Sequence, residues 1–286
     1  MKLRDLLVVL DGSARSEVVL GVALTLAERN DAHVTGFCPL EVLMPANLAF
    51  ALGGYPALTS LQSAANQIED EALAKAAVIE AHFRAELARH ELTGDWQIGR
   101  GTVNEAVARR ARTTDLVVLG QADPEHPLPA TARFLVEDVL MESGRPLLLV
   151  PFAGRFDTIG SNVLLGWNAT REAARAAHDA LMLIEPSANV TVLTVVRGKP
   201  GVEPQEVPAA DIADHLARHG LKVSAARTAT DGSIGDGDAL LSYASDLGAD
   251  LLVVGGYGHS RARELVLGGV SRGLLQHMTV PLLISH

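Results

Sequence analysis

The chain says the same thing twice. Near its start stands Leu6-Leu-Val-Val-Leu-Asp-Gly-Ser-Ala14, and midway stands Val163-Leu-Leu-Gly-Trp-Asn-Ala-Thr170. Each is a short apolar run, a polar turn and then an amphipathic stretch with apolar residues at helical spacing: Val18, Val22 and Leu26 in one, Ala173, Ala177, Leu181 and Ile184 in the other. Thr114-Asp-Leu-Val-Val-Leu-Gly120 then matches Ala249-Asp-Leu-Leu-Val-Val-Gly255, and Gly144-Arg-Pro-Leu-Leu-Leu-Val150 matches Met278-Thr-Val-Pro-Leu-Leu-Ile284. Three landmarks recurring in one order predict two copies of one domain in the 286 residues.

Within each copy, apolar runs of strand length alternate with helical stretches. In the first, the runs predict strands over 5–10, 33–37, 96–98, 116–119 and 147–150, with helices over 16–28, 68–90, 103–112 and 131–141. In the second, strands are predicted over 163–165, 190–195, 223–226, 251–254 and 282–284. Unbroken apolar runs suit strands buried on both faces, and strand–helix alternation implies an α/β domain on a parallel sheet. The boundary is expected in the aperiodic stretch 151–160, giving domains 1–153 and 160–286. The first copy carries extra residues around 43–67, rich in Ala, Leu, Gly and Pro. They are read as a packed loop between the domains, with a lid or an apolar ligand contact as the functional alternative.

A net charge of −10 argues against a surface that neutralises nucleic-acid phosphates or docks on an anionic membrane. No apolar run approaches a membrane span, and the single cysteine, Cys38, cannot close an intramolecular disulfide. A cytoplasmic protein with a buried structural thiol is the expectation.

The chemistry concentrates in Gly255-Gly-Tyr-Gly-His-Ser-Arg-Ala-Arg-Glu-Leu-Val-Leu-Gly-Gly-Val-Ser271. Gly255 closes a strand, and Gly268 and Gly269 open the last helix, predicted over Val270–His277. Unpaired amides and the positive dipole end of a helix N-terminus suit an anion, and Ser271 could add a hydroxyl. His259 and Arg261, like Arg263, could face phosphates or stand in solvent, and Tyr257 could stack on a base or pack on the loop. Taken alone, the glycines read first as turn and helix-cap geometry.

The spacing Gly255-x2-Gly258-x9-Gly268 resembles the ATP-binding signature of the universal stress protein family. The Asp-Gly-Ser turn after the first strand, the Ala-Asp-Leu-Leu-Val-Val-Gly strand and the closing Val-Pro-Leu-Leu-Ile strand carry the likeness through both halves. The resemblance implies two tandem, doubly wound, five-stranded parallel sheets of order 3-2-1-4-5, with helices on both faces. It implies ATP or AMP, with or without Mg, across strands one and four of the second copy. Adenine would meet Gly166, Trp167, Asn168 and Val195 or Val196. Ribose and phosphates would meet Gly255, Gly258 and Gly268, with Gly269, Val270 and Ser271 opening the helix. Two positions depart from the family: Gly269 stands where Ser or Thr is usual, and Asn168 replaces the Asp that the first copy keeps as Asp11.

The first copy is an internal control. After its matching strand come Pro124, Pro127 and Pro129, which offer no amide, with Asp123 and Glu125, while Glu137-Asp138 sits where the second copy opens its helix. That copy is expected not to hold a triphosphate this way, and Asp11 is expected to cap the following helix. Asp231, Asp236 and Asp238 lack the spacing of a calcium loop, and Asp238 is expected to cap the helix Ala239–Leu247. No nucleophile or general base stands out. A nucleotide-binding sensor or regulator of stress adaptation is expected, with a slow ATPase or self-phosphorylating enzyme acting at Ser271, or a nucleotide-independent scaffold, as alternatives. The apolar last strands, 147–150 and 282–284, fall at sheet edges in this order and are expected to cover each other as an intrachain pseudo-dimer. A homodimer beyond that is compatible, though no residue points to it.

Overall fold

The computed structural model describes residues 2–41, 55–122, 134–197, 209–230, 234–256 and 269–286. The first half runs β1 (Asp5–Val9), α1 (Ser16–Asn30), β2 (His33–Glu41), α2 (Tyr55–Arg89), β3 (Gly94–Gly101), α3 (Val103–Ala111), β4 (Leu116–Gly120), α4 (Leu135–Ser143) and β5 (Leu147–Val150). The second runs β6 (Asn162–Gly166), α5 (Arg171–Ala180), β7 (Asn189–Arg197), α6 (Ala210–Arg218), β8 (Lys222–Thr230), α7 (Asp236–Leu247), β9 (Leu251–Gly255), α8 (Gly269–His277) and β10 (Leu282–Ser285).

The strands form one sheet of ten in the order β3-β2-β1-β4-β5-β10-β9-β6-β7-β8, so each half contributes a 3-2-1-4-5 arrangement. Pairing is parallel throughout except at the centre. There β5 and β10 run antiparallel, with Leu147 opposite Ile284, Leu148 opposite Leu283 and Leu149 opposite Leu282. This junction gives two apolar edges hydrogen-bonding partners that each would otherwise lack.

Both faces of the sheet are covered. One core gathers Leu6, Val8, Val163 and Leu165 under α1, α2, α5 and α6; the other gathers Leu7, Leu164, Leu252 and Ile284 under α3, α4, α7 and α8. Successive strand residues point to opposite faces, so strands buried on both sides read as continuous apolar runs.

The segment 151–160 is held by two arginines of α1 and its approach. Arg15 donates to the carbonyls of Ala153 and Gly154, and its guanidinium lies 5.6 Å above the centroid of Phe156. Arg29 donates to the Ile159 carbonyl at 2.7 Å, pairs with Glu185 at 3.0 Å and also reaches the Leu183 carbonyl.

Two expectations are corrected here. The helix expected from Ile68 begins at Tyr55, so 55–67 is helix and not a packed loop. Its Ala- and Leu-rich composition favours that state; the remainder of the extra segment, 43–54, lies outside the described residues. Asp238 does not cap α7. Gly235 holds the cap position in extended geometry, and Asp238 sits within the first turn, where a carboxylate suits the positive helix end. Among the described residues, no helix is long and apolar enough to cross a membrane.

Candidate nucleotide site

β6 lies between β7 and β9, and the chain leaves it toward one neighbour and returns on the other side. That reversal is where open α/β sheets leave a crevice at their carboxyl ends. Gly166 ends β6 opposite Leu193, and Leu165 stands opposite Val253, which brings the ends of β6, β7 and β9 together.

The turn after β6 is fixed by its own side chains. The Trp167 amide donates to the Leu193 carbonyl at 2.8 Å. Asn168 Oδ1 accepts from the Thr170 amide at 3.2 Å and its hydroxyl at 2.8 Å, and Thr170 caps α5 by accepting from the Ala173 amide. Ala169 takes a left-handed φ of 56°, a conformation that the first half assigns to Gly12, at 75°. In that half Asp11 Oδ1 accepts from the Ser13 amide at 2.9 Å and the Ser16 hydroxyl at 2.8 Å. Asp11 therefore organises the turn and does not cap the helix, whose cap position is Arg15. Asn168 does the same work without charge, which explains why the exchange leaves the turn intact.

The two sheet faces divide the remaining residues. Trp167 packs against the core under α5, whereas Val195 packs against the core that holds Leu240, Val254 and α8. Strand alternation sets Val196 on the Trp167 face. Of the two valines, Val195 thus shares a face with α8. Gly166 lies under α7: a Cβ there would come 3.3 Å from both Leu240 and Val254.

Gly255 plays a part that spacing did not reveal. A Cβ on it would lie 2.4 Å from the Ala173 nitrogen and 2.5 Å from the Glu172 carbonyl carbon, so its bareness admits the first turn of α5. Glu172, in that turn, is only 5% exposed. Burial pushes its carboxyl up, but the Arg171 guanidinium, its own backbone amide and the Thr170 hydroxyl outweigh this and hold it below the usual range.

The N-terminus of α5 is thus occupied by Thr170 and Glu172. α8 begins at Gly269, carries no acidic residue in its first turn and encloses Ser271 at 6% exposure. Its counterpart α4 bears Glu137 and Asp138 in the first turn. The far end of α8 is gripped by the first half: Gln121 Nε2 donates to the carbonyls of Leu275 at 2.8 Å and Gln276 at 3.2 Å. Beside it, Gly256 leaves room for Leu140, which a Cβ would meet at 2.9 Å.

Gly166 ends β6, with Trp167 and Asn168 in the turn after it; Val195 and Val196 lie near the end of β7, Gly255 ends β9, and Gly269, Val270 and Ser271 open α8. Gly258, Gly268, His259, Arg261, Arg263 and Tyr257 lie outside the described residues, as do Asp231 and the proline segment of the first half. Among the described residues no three His, Cys, Asp or Glu side chains cluster as metal ligands. Cys38 is buried, and burial with the nearby Asp11 charge pushes its thiol from 9.0 to about 11, which suits an inert structural role.

Comparison with known proteins agrees with this architecture. A universal stress protein of Archaeoglobus fulgidus superposes with a TM-score of 0.74 over 100% of this chain and 99% of its own, at 13% identity. A putative universal stress protein of Pseudomonas aeruginosa gives 0.59 over 99% of this chain and 93% of its own, at 14% identity. At such identities the likeness establishes the fold. A universal stress protein of Synechocystis sp. is 26% identical over 181 residues, which cover 59% of this chain; the chain spans 57% of that relative's length. Residues 161–286, the half that carries the glycine spacing, match the model of the universal stress protein family, and the whole chain shares the fold of solved universal stress proteins.

Proposed function

We propose that the second half binds an adenine nucleotide, ATP or AMP, at the carboxyl ends of β6, β7 and β9, and that the bound state reports to a stress-adaptation partner. The reading rests on one observation above the others. The first turn of α8, the helix that follows β9, opens with glycine, has no acid, and contains the buried Ser271. Amides at such an end are aligned donors for a phosphate, and a nearby carboxylate would cancel their advantage. Gly166 and Val195, on the α8 face, offer an apolar floor for a base, and Asn168 can donate from its amide to a ribose or a ring nitrogen. Magnesium, where present, would ride on the phosphates.

Ser271 is enclosed, which favours a held hydroxyl over an acceptor in self-phosphorylation. A regulator fits these residues better than an ATPase, because hydrolysis needs a positioned water and added charge stabilisation.

Calorimetric titration of the full chain with ATP, AMP and adenosine, with and without Mg, tests the proposal. Saturable binding of one nucleotide per chain, abolished by Ser271→Glu, is expected. Absence of binding at millimolar nucleotide would leave a scaffold, and steady phosphate release would make the protein an enzyme.

A further inference from the structure

Two helices that share a face of the sheet, α7 and α8, approach each other at Gly237. It is the second residue of α7, and a Cβ on it would lie 2.9 Å from the Val270 carbonyl oxygen, 3.5 Å from Leu274 Cγ and 3.6 Å from the Leu274 nitrogen. The nearest of these is a backbone atom in the first turn of α8, and it cannot swing aside as a side chain would. Gly237 has no left-handed φ to explain its presence, since the residues with positive φ do not include it. Inside a helix, glycine is a costly choice unless close approach demands it.

The first half shows the other solution to the same contact. Asn104, the second residue of α3, donates from Nδ2 to Asp138 Oδ2 of α4 at 2.6 Å, while its Oδ1 is buried with no donor among the described residues. A side-chain bridge to an acid thus spaces α3 from α4, where bare backbone contact spaces α7 from α8. The difference coincides with the acid-bearing and acid-free helix ends of the two halves.

We infer that Gly237 is a positioning residue for phosphate: it seats the first turn of α8 deep enough for the Gly269–Ser271 backbone and the Ser271 hydroxyl to reach the anion. The inference rests on the nucleotide reading above. It assigns phosphate affinity, and not base affinity, to a residue in another helix that meets the ligand only through Val270. An added methyl would push the amides of α8 away from phosphate while leaving Gly166 and Val195 in place.

The test compares ATP with adenosine on the full-length Gly237→Ala variant by calorimetry, with Gly235→Ala as control. Among the described residues, a Cβ at Gly235 would meet only the movable Asp238 carboxylate, at 3.2 Å. Gly237→Ala is expected to weaken ATP about tenfold, the worth of roughly one charge-assisted hydrogen bond, and to leave adenosine within about twofold. Equal weakening of both ligands, or unchanged ATP affinity, would overturn the assignment. If Gly237→Ala does not accumulate folded, Leu274→Met, which alters the side chain lying against Gly237, is expected to show the same ATP-selective loss in smaller measure; an equal loss for adenosine refutes it. Wild-type protein that ignores ATP would instead remove the nucleotide reading itself.

Discussion

Gly255 and Ala173 meet backbone to backbone, so that a methyl on the glycine would stand 2.4 Å from the Ala173 nitrogen. The contact ties the carboxyl end of β9 to the capped start of α5. The matching glycine of the first half, Gly120, faces among the described residues the Val19 Cγ2 at 3.2 Å and the Arg15 stem at 3.9 Å. The two positions are alike in sequence and unlike in tolerance.

Gly255→Ala is therefore expected to cost about 2–3 kcal/mol of stability, because backbone must move, whereas Gly120→Ala costs under about 1 kcal/mol, because side chains can turn. Urea midpoints for the two variants decide it. Similar losses would show that α5 can retreat as easily as Val19.

Asp250 ties the start of β9 to the start of β6. Its carboxylate accepts from the amides of Gly160, Ser161 and Asn162, each at 3.0–3.1 Å, and from the Ser161 hydroxyl, while its own amide donates to the Asn162 carbonyl. Asp115 repeats the arrangement with fewer bonds, accepting from the Arg4 and Asp5 amides at 2.9 and 3.0 Å. Asp250→Ala is expected to lower stability by about 3 kcal/mol and Asp115→Ala by about half that, since stranded amides lose charge-assisted partners. Thermal unfolding of the two variants checks the order; a larger loss at Asp115 would contradict it.

Glu137 supplies a pH dependence. Burial, chiefly, with the neighbouring Asp138, raises its carboxyl above 4.5 against the opposing pull of its backbone amide and of Arg272 from the second half. A raised folded value means that the folded chain favours the protonated form, so the contribution of this group is complete below the ordinary carboxyl range and fades as pH rises through the shifted one. Glu137→Gln should gain stability relative to the parent between about pH 4 and pH 7. Denaturant unfolding across that range measures it, and a parallel pair of curves would show that Glu137 titrates alike folded and unfolded.

Much of this architecture was written plainly in the chain. The strands announced themselves because burial on both faces leaves no polar position in Leu6–Leu10 or Leu251–Val254, and the repeat supplied their order. Apolar last strands pointed to the β5–β10 junction for the same reason. Helix ends were less legible. Asp11 and Asp238 are good capping residues by type, yet Asp11 spends its oxygen on Ser13 and Ser16, and Gly235 takes the cap ahead of Asp238. Composition alone could not divide the extra segment of the first half into helix and remainder, since its Gly and Pro pull against its Ala and Leu.

At the site, residue type was visible and role was not. Gly255 belongs to a recognisable spacing, but what its missing side chain admits is a helix from the same half. Gly237 stood in Asp236-Gly-Asp238, ahead of the expected helix start at Ala239, and a distance to Val270 gives it meaning. Asp115 and Asp250 lay inside quoted landmarks, yet their bonds span 110–111 and 88–90 residues, a range that no local pattern reports.

The central antiparallel junction carries one last consequence. Separate chains meeting along the same strands would come apart on dilution and could exchange into pairs of like with like. A single polypeptide forbids both, because tethering makes the encounter intramolecular and independent of how much protein is present. Every molecule therefore confronts one acid-ended helix with one glycine-ended helix in fixed one-to-one stoichiometry, and the two are free to diverge without ever losing each other.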